Sequence, residues 1–63
     1  MRISLKAARV DAGMTQQQVA QSLGVTKQTV GAWESGKTMP RTDKIEAVCA
    51  LYGRSYDEIK WNP

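Results

Sequence analysis

Histidine and phenylalanine are absent from this 63-residue chain, and cysteine occurs only once, as Cys49. A single thiol cannot form an internal disulfide, and without histidine the chain has no recognisable zinc-ligand set. It also has no nucleophile beside a base and no phosphate-cradling glycine loop. We therefore expect no enzyme activity, no metal and no cofactor, and we expect Cys49 to pack as a small hydrophobic residue.

Long apolar segments are also absent. The longest apolar run, Ala47 to Tyr52, is far too short to cross a bilayer, and the N-terminal residues show no signal-peptide core. With its single thiol, this composition favours a reducing compartment, the cytoplasm, and predicts no membrane and no small-molecule substrate as partner. Residues 1–63 are expected to form one small domain that buries only about 60% of the surface of the unfolded chain.

Positive charge is concentrated in the first two thirds of the sequence. Residues 1–41 contain six basic and two acidic side chains, a net charge of +4, whereas residues 42–63 contain three basic and four acidic ones, a net charge of −1. This asymmetry favours a polyanionic partner at one end of the molecule, although a solvated basic surface would have the same composition.

The sequence is divided by residues that start and stop helices. Glycines stand at intervals where helices are expected to end, and the segments 15–18 and 55–58 match the capping-box pattern. Apolar residues between them repeat at helical spacing, and no segment alternates with a period of two. We therefore predict a compact all-α bundle without strands. Its five helices are expected at roughly 3–12, 16–23, 27–35, 42–52 and 56–60.

The second and third predicted helices are joined by a very short turn in the segment TQQQVAQSLGVTKQTVGAWESG, residues 15–36. Ala20 is small enough to allow close helix packing, and Gly24 can turn the chain. Val25 can fill the corner, and Thr26 can cap the next helix. Two helices joined in this way form a helix-turn-helix unit.

The third predicted helix has an unusual outer face. With Val30 and Trp33 inside, the residues directed away from the core are Gln28, Gly31, Ala32 and Ser35, with Lys27 and Thr29 on the flanks. A glycine inside a helix costs about 1 kcal/mol relative to alanine, so such a face suggests close approach by a partner. The major groove of DNA, about 12 Å wide, admits a helix presented in this way.

The sequence resembles the lambda-repressor-like helix-turn-helix family, which includes Cro and C1 repressors. The resemblance covers nearly the whole chain and is most specific over residues 15–37. The matching segments are Ala8-Arg9, residues 13–25, Val30, residues 33–37, Pro40 and residues 55–59. The chain departs from the family pattern at Gly31, at Thr42 and at Arg54, where the family usually has an aliphatic residue.

This resemblance implies roles for individual side chains on DNA. The residues expected to face base edges are Lys27, Gln28, Thr29 and Ala32. Those expected near phosphates are Gln16, Thr26, Lys37 and Arg41. Physical chemistry supports two of these roles, because glutamine can bond adenine through two hydrogen bonds and a helix N-terminus, such as that beside Gln16, attracts anions.

The resemblance also implies structural and interface residues. Arg9 and Glu34 are expected to form an ion pair between the first and third helices that orients the scaffold and does not read DNA. Dimer contacts are expected near the join of the last two helices. Candidates there are Leu51, Arg54, Tyr56 and Trp61, although Trp61 could equally fold back onto the core.

Taken together, these features predict a sequence-specific DNA-binding transcription regulator of the bacterial cytoplasm or nucleoid. The resemblance favours a small phage or prophage repressor of the Cro kind that binds a palindromic operator as a homodimer. The alternative is an antitoxin or another protein-interaction module with the same fold, which would bind DNA weakly or only as a secondary activity.

Overall fold

Side-chain caps determine where the central helices begin in the computed structural model, which describes residues 1–61. Thr15 Oγ1 accepts from the Gln18 N–H at 3.1 Å, and Gln18 Oε1 accepts from the Thr15 N–H at 2.8 Å. Thr26 Oγ1 accepts from the Thr29 N–H at 3.2 Å. These bonds satisfy N–H groups that the first turn of a helix leaves without a backbone partner.

Four α-helices make up most of the described chain. They are α1 (Leu5–Asp11), α2 (Gln16–Leu23), α3 (Lys27–Ser35) and α4 (Thr42–Tyr52). The last three coincide with the predicted segments. The prediction of a compact helical bundle with a helix-turn-helix is confirmed, and the number of helices is corrected from five to four.

The predicted fifth helix, 56–60, is wrong. Residues Tyr56–Glu58 form one 3₁₀ turn, and the chain then extends as strand β2 (Ile59–Lys60). This strand pairs in parallel with β1 (Ile3–Ser4), with Ile3 opposite Ile59. The prediction that strands are absent is therefore also wrong. A two-residue strand is too short to show alternation in the sequence, and its partner lies at the other end of the chain.

The first helix is shorter than the predicted 3–12. Ser4 is its N-cap, and the Ser4 Oγ accepts from the Ala7 N–H at 3.0 Å. The helix cannot include Ile3, because that residue belongs to β1 and pairs with β2. At the other end the helix stops at Asp11, and Val10 is 58% exposed on its surface.

The core lies where all four helices and β2 meet. Val19 of α2, Val30 of α3, Val48 of α4 and Ile59 of β2 are each at most 1% exposed. Buried residues that complete this cluster are Leu5, Ala8, Ala20, Trp33, Tyr52 and Trp61. Ala20 is 2% exposed, and its small side chain allows α2 and α3 to pack closely.

The C-terminal segment folds back onto this core. Trp61 is 8% exposed, its Nε1 donates to the Tyr56 carbonyl at 2.9 Å, and its ring stacks on that of Tyr56 with centroids 5.5 Å apart. Of the two placements open for Trp61, the structure has the one in the core. Arg54, where an aliphatic residue was expected, instead forms an ion pair with Asp11 at the end of α1.

The 3₁₀ turn is expected to make the fold sensitive to acid. The Ser55 hydroxyl lowers the pKa of Asp57 below its ordinary value of 3.8, and the Ser55 N–H, with the hydroxyl, lowers the pKa of Glu58 below 4.5. Since both carboxylates are stabilised in the folded state, their contribution is present above these values and is lost as the pH falls below them. We expect the free energy of unfolding, measured with urea, to fall less on acidification in Ser55→Ala than in the native chain. Identical pH profiles would contradict this assignment.

Candidate nucleic-acid interface

The turn between α2 and α3 is built from short-range contacts. Gly24 ends α2 in the left-handed conformation, with φ 69° and ψ 32°, and the Val25 N–H donates to the Ala20 carbonyl at 3.0 Å. Val25 is half-buried in the corner. Lys44 of α4 donates through Nζ to the Leu23 carbonyl at 3.0 Å, so the turn is also tied to the fourth helix.

The outer face of α3 is open to solvent. Val30 and Trp33 lie inside at 1% and 6% exposure. Lys27, Gln28 and Ser35 are exposed, and Thr29, Gly31 and Ala32, which lie between them along the helix, are half-buried. The helix therefore presents an amide and an ammonium group at its N-terminal end above a shallow, nearly featureless surface.

Gly31 has no conformational or packing role within the fold. Its backbone is not in the left-handed region, where only the other glycines are found among the described residues. A Cβ at this position would meet only Gln16 Nε2, at 3.8 Å, which is an ordinary van der Waals contact. The stability that glycine costs inside a helix is therefore not offset by an intramolecular need for it.

Arg9 and Glu34 form an ion pair inside the protein. Arg9 Nε lies 2.6 Å from Glu34 Oε2, and Arg9 Nη2 donates to Glu34 Oε1 at 3.4 Å. The two side chains are only 10% and 5% exposed. Arg9 Nη1 also donates to the Met14 carbonyl at 2.9 Å, so the pair holds α1, α3 and the loop that leads into α2.

Buried Tyr52 lies near this ion pair. Burial and, to a smaller extent, the negative charge of Glu34 together raise the pKa of Tyr52 to about 12, and the positive charge of Arg9 partly opposes this shift. Tyr52 is thus neutral at physiological pH and acts as a packing residue of the scaffold. Burial also raises the pKa of the Cys49 thiol, which disfavours its reactive thiolate form.

Two contacts of this region were not predicted from the sequence. Gln16 Nε2 donates to Glu34 Oε1 at 3.0 Å, and Lys44 anchors the α2–α3 turn as described above. The partners in each pair lie about twenty residues apart, and neither pair forms a recognisable motif. No local sequence signal indicates them.

The other predicted DNA-contacting residues surround the same face. The Thr26 hydroxyl is 2.9 Å from that of Thr29, so these two side chains are bonded to each other at the start of α3. Lys37 and Arg41 are exposed on the loop that follows the helix. The Lys37 N–H donates to the Ala32 carbonyl at 3.0 Å and thereby keeps this loop close to the end of α3.

The predicted dimer residues lie elsewhere and do not form one exposed patch. Tyr56 is 55% exposed, Leu51 and Arg54 are half-buried, and Trp61 is buried. Arg54 is engaged by Asp11 within the same chain. Tyr56 borders an apolar groove against α4 that also contains Ile45 and Cys49.

Within residues 1–61, no helix has both the length and the apolar character needed to cross a membrane. In that same part of the chain, no three acidic, cysteine or histidine side chains lie close enough to hold a metal ion together.

Two helices joined by a tight glycine turn, the second with an exposed polar face, define a helix-turn-helix domain. The family model described as helix-turn-helix matches residues 5–59 of the chain. The protein belongs to this lambda-repressor-like, Cro/C1-type helix-turn-helix family, whose members are DNA-binding transcription regulators and are typically not enzymes.

Relatives of this chain are regulators by name. An uncharacterized HTH-type transcriptional regulator of Methanothermobacter thermautotrophicus is 33% identical over 92% of this chain and 84% of its own length. The uncharacterized HTH-type transcriptional regulator YgzD of Bacillus subtilis is 28% identical over 97% of this chain and 92% of its own length. The HTH-type transcriptional activator BcrR of Enterococcus faecalis is 29% identical over 87% of this chain, which spans only 27% of that longer protein. No solved structure matches the chain.

Proposed function

We propose that this protein is a sequence-specific DNA-binding transcription regulator that inserts α3 into the major groove. The observation that carries this proposal is the exposed face of α3, with Lys27 and Gln28 at its N-terminal end and a nearly bare surface behind them. A helix of this shape fits the groove, and its N-terminal residues reach the base edges first in helix-turn-helix complexes.

The proposed roles follow from position and chemistry. Gln28 donates one hydrogen bond to an adenine and accepts another from it, and Lys27 donates to guanine or to a phosphate. The methyl groups of Thr29 and Ala32 contact thymine methyls. Gln16, Thr26, Lys37 and Arg41 contact phosphates on either side of the groove, which positions α3 but adds no sequence information.

A homodimer on a palindromic operator completes the proposal. One α3 reads only a few base pairs, and two copies would reach half-sites about 34 Å apart. The surface that supports this arrangement is the region where α4 meets the 3₁₀ turn, with Tyr56 exposed and Leu51 half-buried. Trp61 is excluded from this surface because its side chain fills the core.

The site of action is proposed to be the nucleoid, in the cytoplasm. The direction of regulation is not part of the proposal, because one relative is named an activator and the other two are named only as regulators. An origin in a phage or prophage stays a prediction from the family resemblance.

Selection of bound sites from a random DNA pool tests the proposal directly. We expect a palindrome with two equal arms, and replacing Gln28 with alanine should relax the preference at one position per arm by about 1–3 kcal/mol. Gln21→Ala is the matched control, because Gln21 is exposed on α2 away from this face and its loss should leave the preferences unchanged. A pool without enriched sequences would favour the protein-interaction alternative. Unchanged preferences in Gln28→Ala would show that another residue reads the base.

The salt dependence of DNA affinity tests the phosphate contacts. A dimer with about three cationic contacts per subunit should show a log–log slope near −5, since each contact contributes about −0.9. Lys37→Ala removes one contact from each subunit and should bring the slope to about −3 to −4. Lys60→Ala removes an equally exposed lysine from β2 and should not change it. Equal changes in both variants would indicate a diffuse charge effect without a specific Lys37 contact.

A further inference from the structure

The side chain of Gln16, the first residue of α2, is held by a hydrogen bond to another side chain of the protein. Its Nε2 donates to Glu34 Oε1 of α3 at 3.0 Å, and its side chain is half-buried. Because a carboxylate only accepts hydrogen bonds, this contact determines which end of the Gln16 amide faces Glu34. The amide nitrogen has two hydrogens, so one N–H remains for another acceptor.

Glu34 is itself held firmly. Arg9 binds both of its oxygens, at 2.6 Å and 3.4 Å, and Arg9 is fixed in turn by the Met14 carbonyl at 2.9 Å. Met14 immediately precedes Thr15, the N-cap of α2. A continuous set of hydrogen bonds therefore connects α1, the end of α3 and the beginning of α2, in an environment where little water competes for them.

The side chain of Gln16 passes close to Gly31 where it reaches Glu34. Gln16 Nε2 lies 3.8 Å from the place where a Gly31 Cβ would be, and no side chain from outside α3 lies nearer to that place. A long side chain at position 31 would compete with Gln16 for this route across the α2–α3 groove. The bare stretch of α3 thus accommodates the side chain that starts α2.

We propose that Glu34 is a positioning residue for the contact between Gln16 and a DNA phosphate, in addition to its role in the scaffold. The inference rests on the proposed function. Glu34 orders the Gln16 amide before DNA arrives, so that binding does not have to restrict a freely rotating glutamine. Arg9 neutralises the carboxylate and thereby limits its repulsion of the approaching phosphate.

The variant Glu34→Gln separates positioning from folding. Glutamine keeps the volume of glutamate but offers one acceptor oxygen where the carboxylate has two. The guanidinium of Arg9 is the charged donor and is expected to take that oxygen, which leaves the new NH2 group facing Gln16 and removes the acceptor that holds Gln16 Nε2 in its present orientation. A scaffold role of Glu34 would lower DNA affinity whether or not Gln16 is present, whereas positioning requires Gln16.

A double-mutant cycle makes this distinction measurable. The native chain, Gln16→Ala, Glu34→Gln and the double variant are titrated onto a mixed-sequence duplex of about 30 base pairs, three helical turns, at low salt and below the unfolding transition of every variant. We expect Glu34→Gln to weaken binding about three- to tenfold in the native background and less than about twofold in the Gln16→Ala background. The matched control is Gln17→Ala, an exposed neighbour, in which Glu34→Gln should keep its full effect.

Each other outcome of the cycle overturns a different statement. An equal loss of DNA affinity in both backgrounds would show that Glu34 acts only through the scaffold. Full affinity of Gln16→Ala would show that Gln16 makes no phosphate contact. Failure of the native chain to bind the duplex at low salt would overturn the proposed function itself. If Glu34→Gln does not fold, Glu34→Asp replaces it in the same cycle, because aspartate keeps the charge for Arg9 but withdraws the carboxylate from Gln16.

Discussion

Replacing Glu34 with alanine is expected to lower the free energy of unfolding by about 3–5 kcal/mol, because it leaves the charged Arg9 guanidinium buried without its ionic partner. The side chains of the pair are only 10% and 5% exposed, and within residues 1–61 the Met14 carbonyl is the only other acceptor for Arg9. A chain of this length has a total stability of roughly 3–9 kcal/mol, so the variant should lose at least about a third of it. Urea or thermal unfolding followed by circular dichroism measures the change.

The second ion pair of the protein provides the matched control. Arg54 and Asp11 also bond directly, but Asp11 is 65% exposed and Arg54 28% exposed. Such a surface pair contributes about 0–1 kcal/mol, and Asp11 stands at the C-terminal end of α1, where the helix dipole disfavours an anion. Asp11→Ala should therefore unfold almost as the native chain does. Similar losses in the two variants would show that burial does not make the Arg9–Glu34 pair special.

Replacing Trp61 with alanine is expected to cost about 3–5 kcal/mol as well, through the cavity left by a large buried ring. Trp61 is 8% exposed, and its indole N–H is satisfied by the Tyr56 carbonyl. It follows directly after β2, so its loss also weakens the closure between the two ends of the chain. Thermal unfolding at several protein concentrations is the appropriate measurement.

Protein concentration separates the core placement of Trp61 from an interface role. A core residue lowers stability by the same amount at every concentration, whereas an interface residue affects it only where the dimer forms. The control, measured at a protein concentration too low for a dimer to form, is Tyr56→Ala, which removes the exposed ring stacked on Trp61 and should cost only about 0.5–1.5 kcal/mol. If the loss of stability in Trp61→Ala disappears on dilution, Trp61 belongs to the dimer interface.

These effects matter for DNA binding because the scaffold sets the angle between α2 and α3. The Arg9–Glu34 pair connects α1 to the end of α3, and Gln16 connects the start of α2 to the same carboxylate. We therefore expect loss of Glu34 to affect stability and, through Gln16, the proposed phosphate contact. The double-mutant cycle is needed because a single substitution would mix the two contributions.

Sequence patterns were sufficient to predict the parts of the protein that depend on neighbouring residues. The starts of α2 and α3 follow from Thr15 and Thr26, because a cap bonds to an N–H three residues later. Gly24 marks the turn between them, since a left-handed residue ends α2 there. The helix-turn-helix and the polar face of α3 could therefore be predicted, whereas the family was indicated by resemblance to its sequence pattern.

The way in which distant segments meet could not be predicted and became known from the three-dimensional structure. Ser55 and Glu58 suggested a helix, but the chain leaves it after one turn because Ile59 pairs with Ile3 and is buried among the helices. In the same way, the sequence did not indicate that Gln16 donates to Glu34. The physical reason is common to both cases. Local hydrogen bonds recur at fixed spacings along the chain, whereas contacts between remote residues depend on how the helices pack and have no periodic pattern.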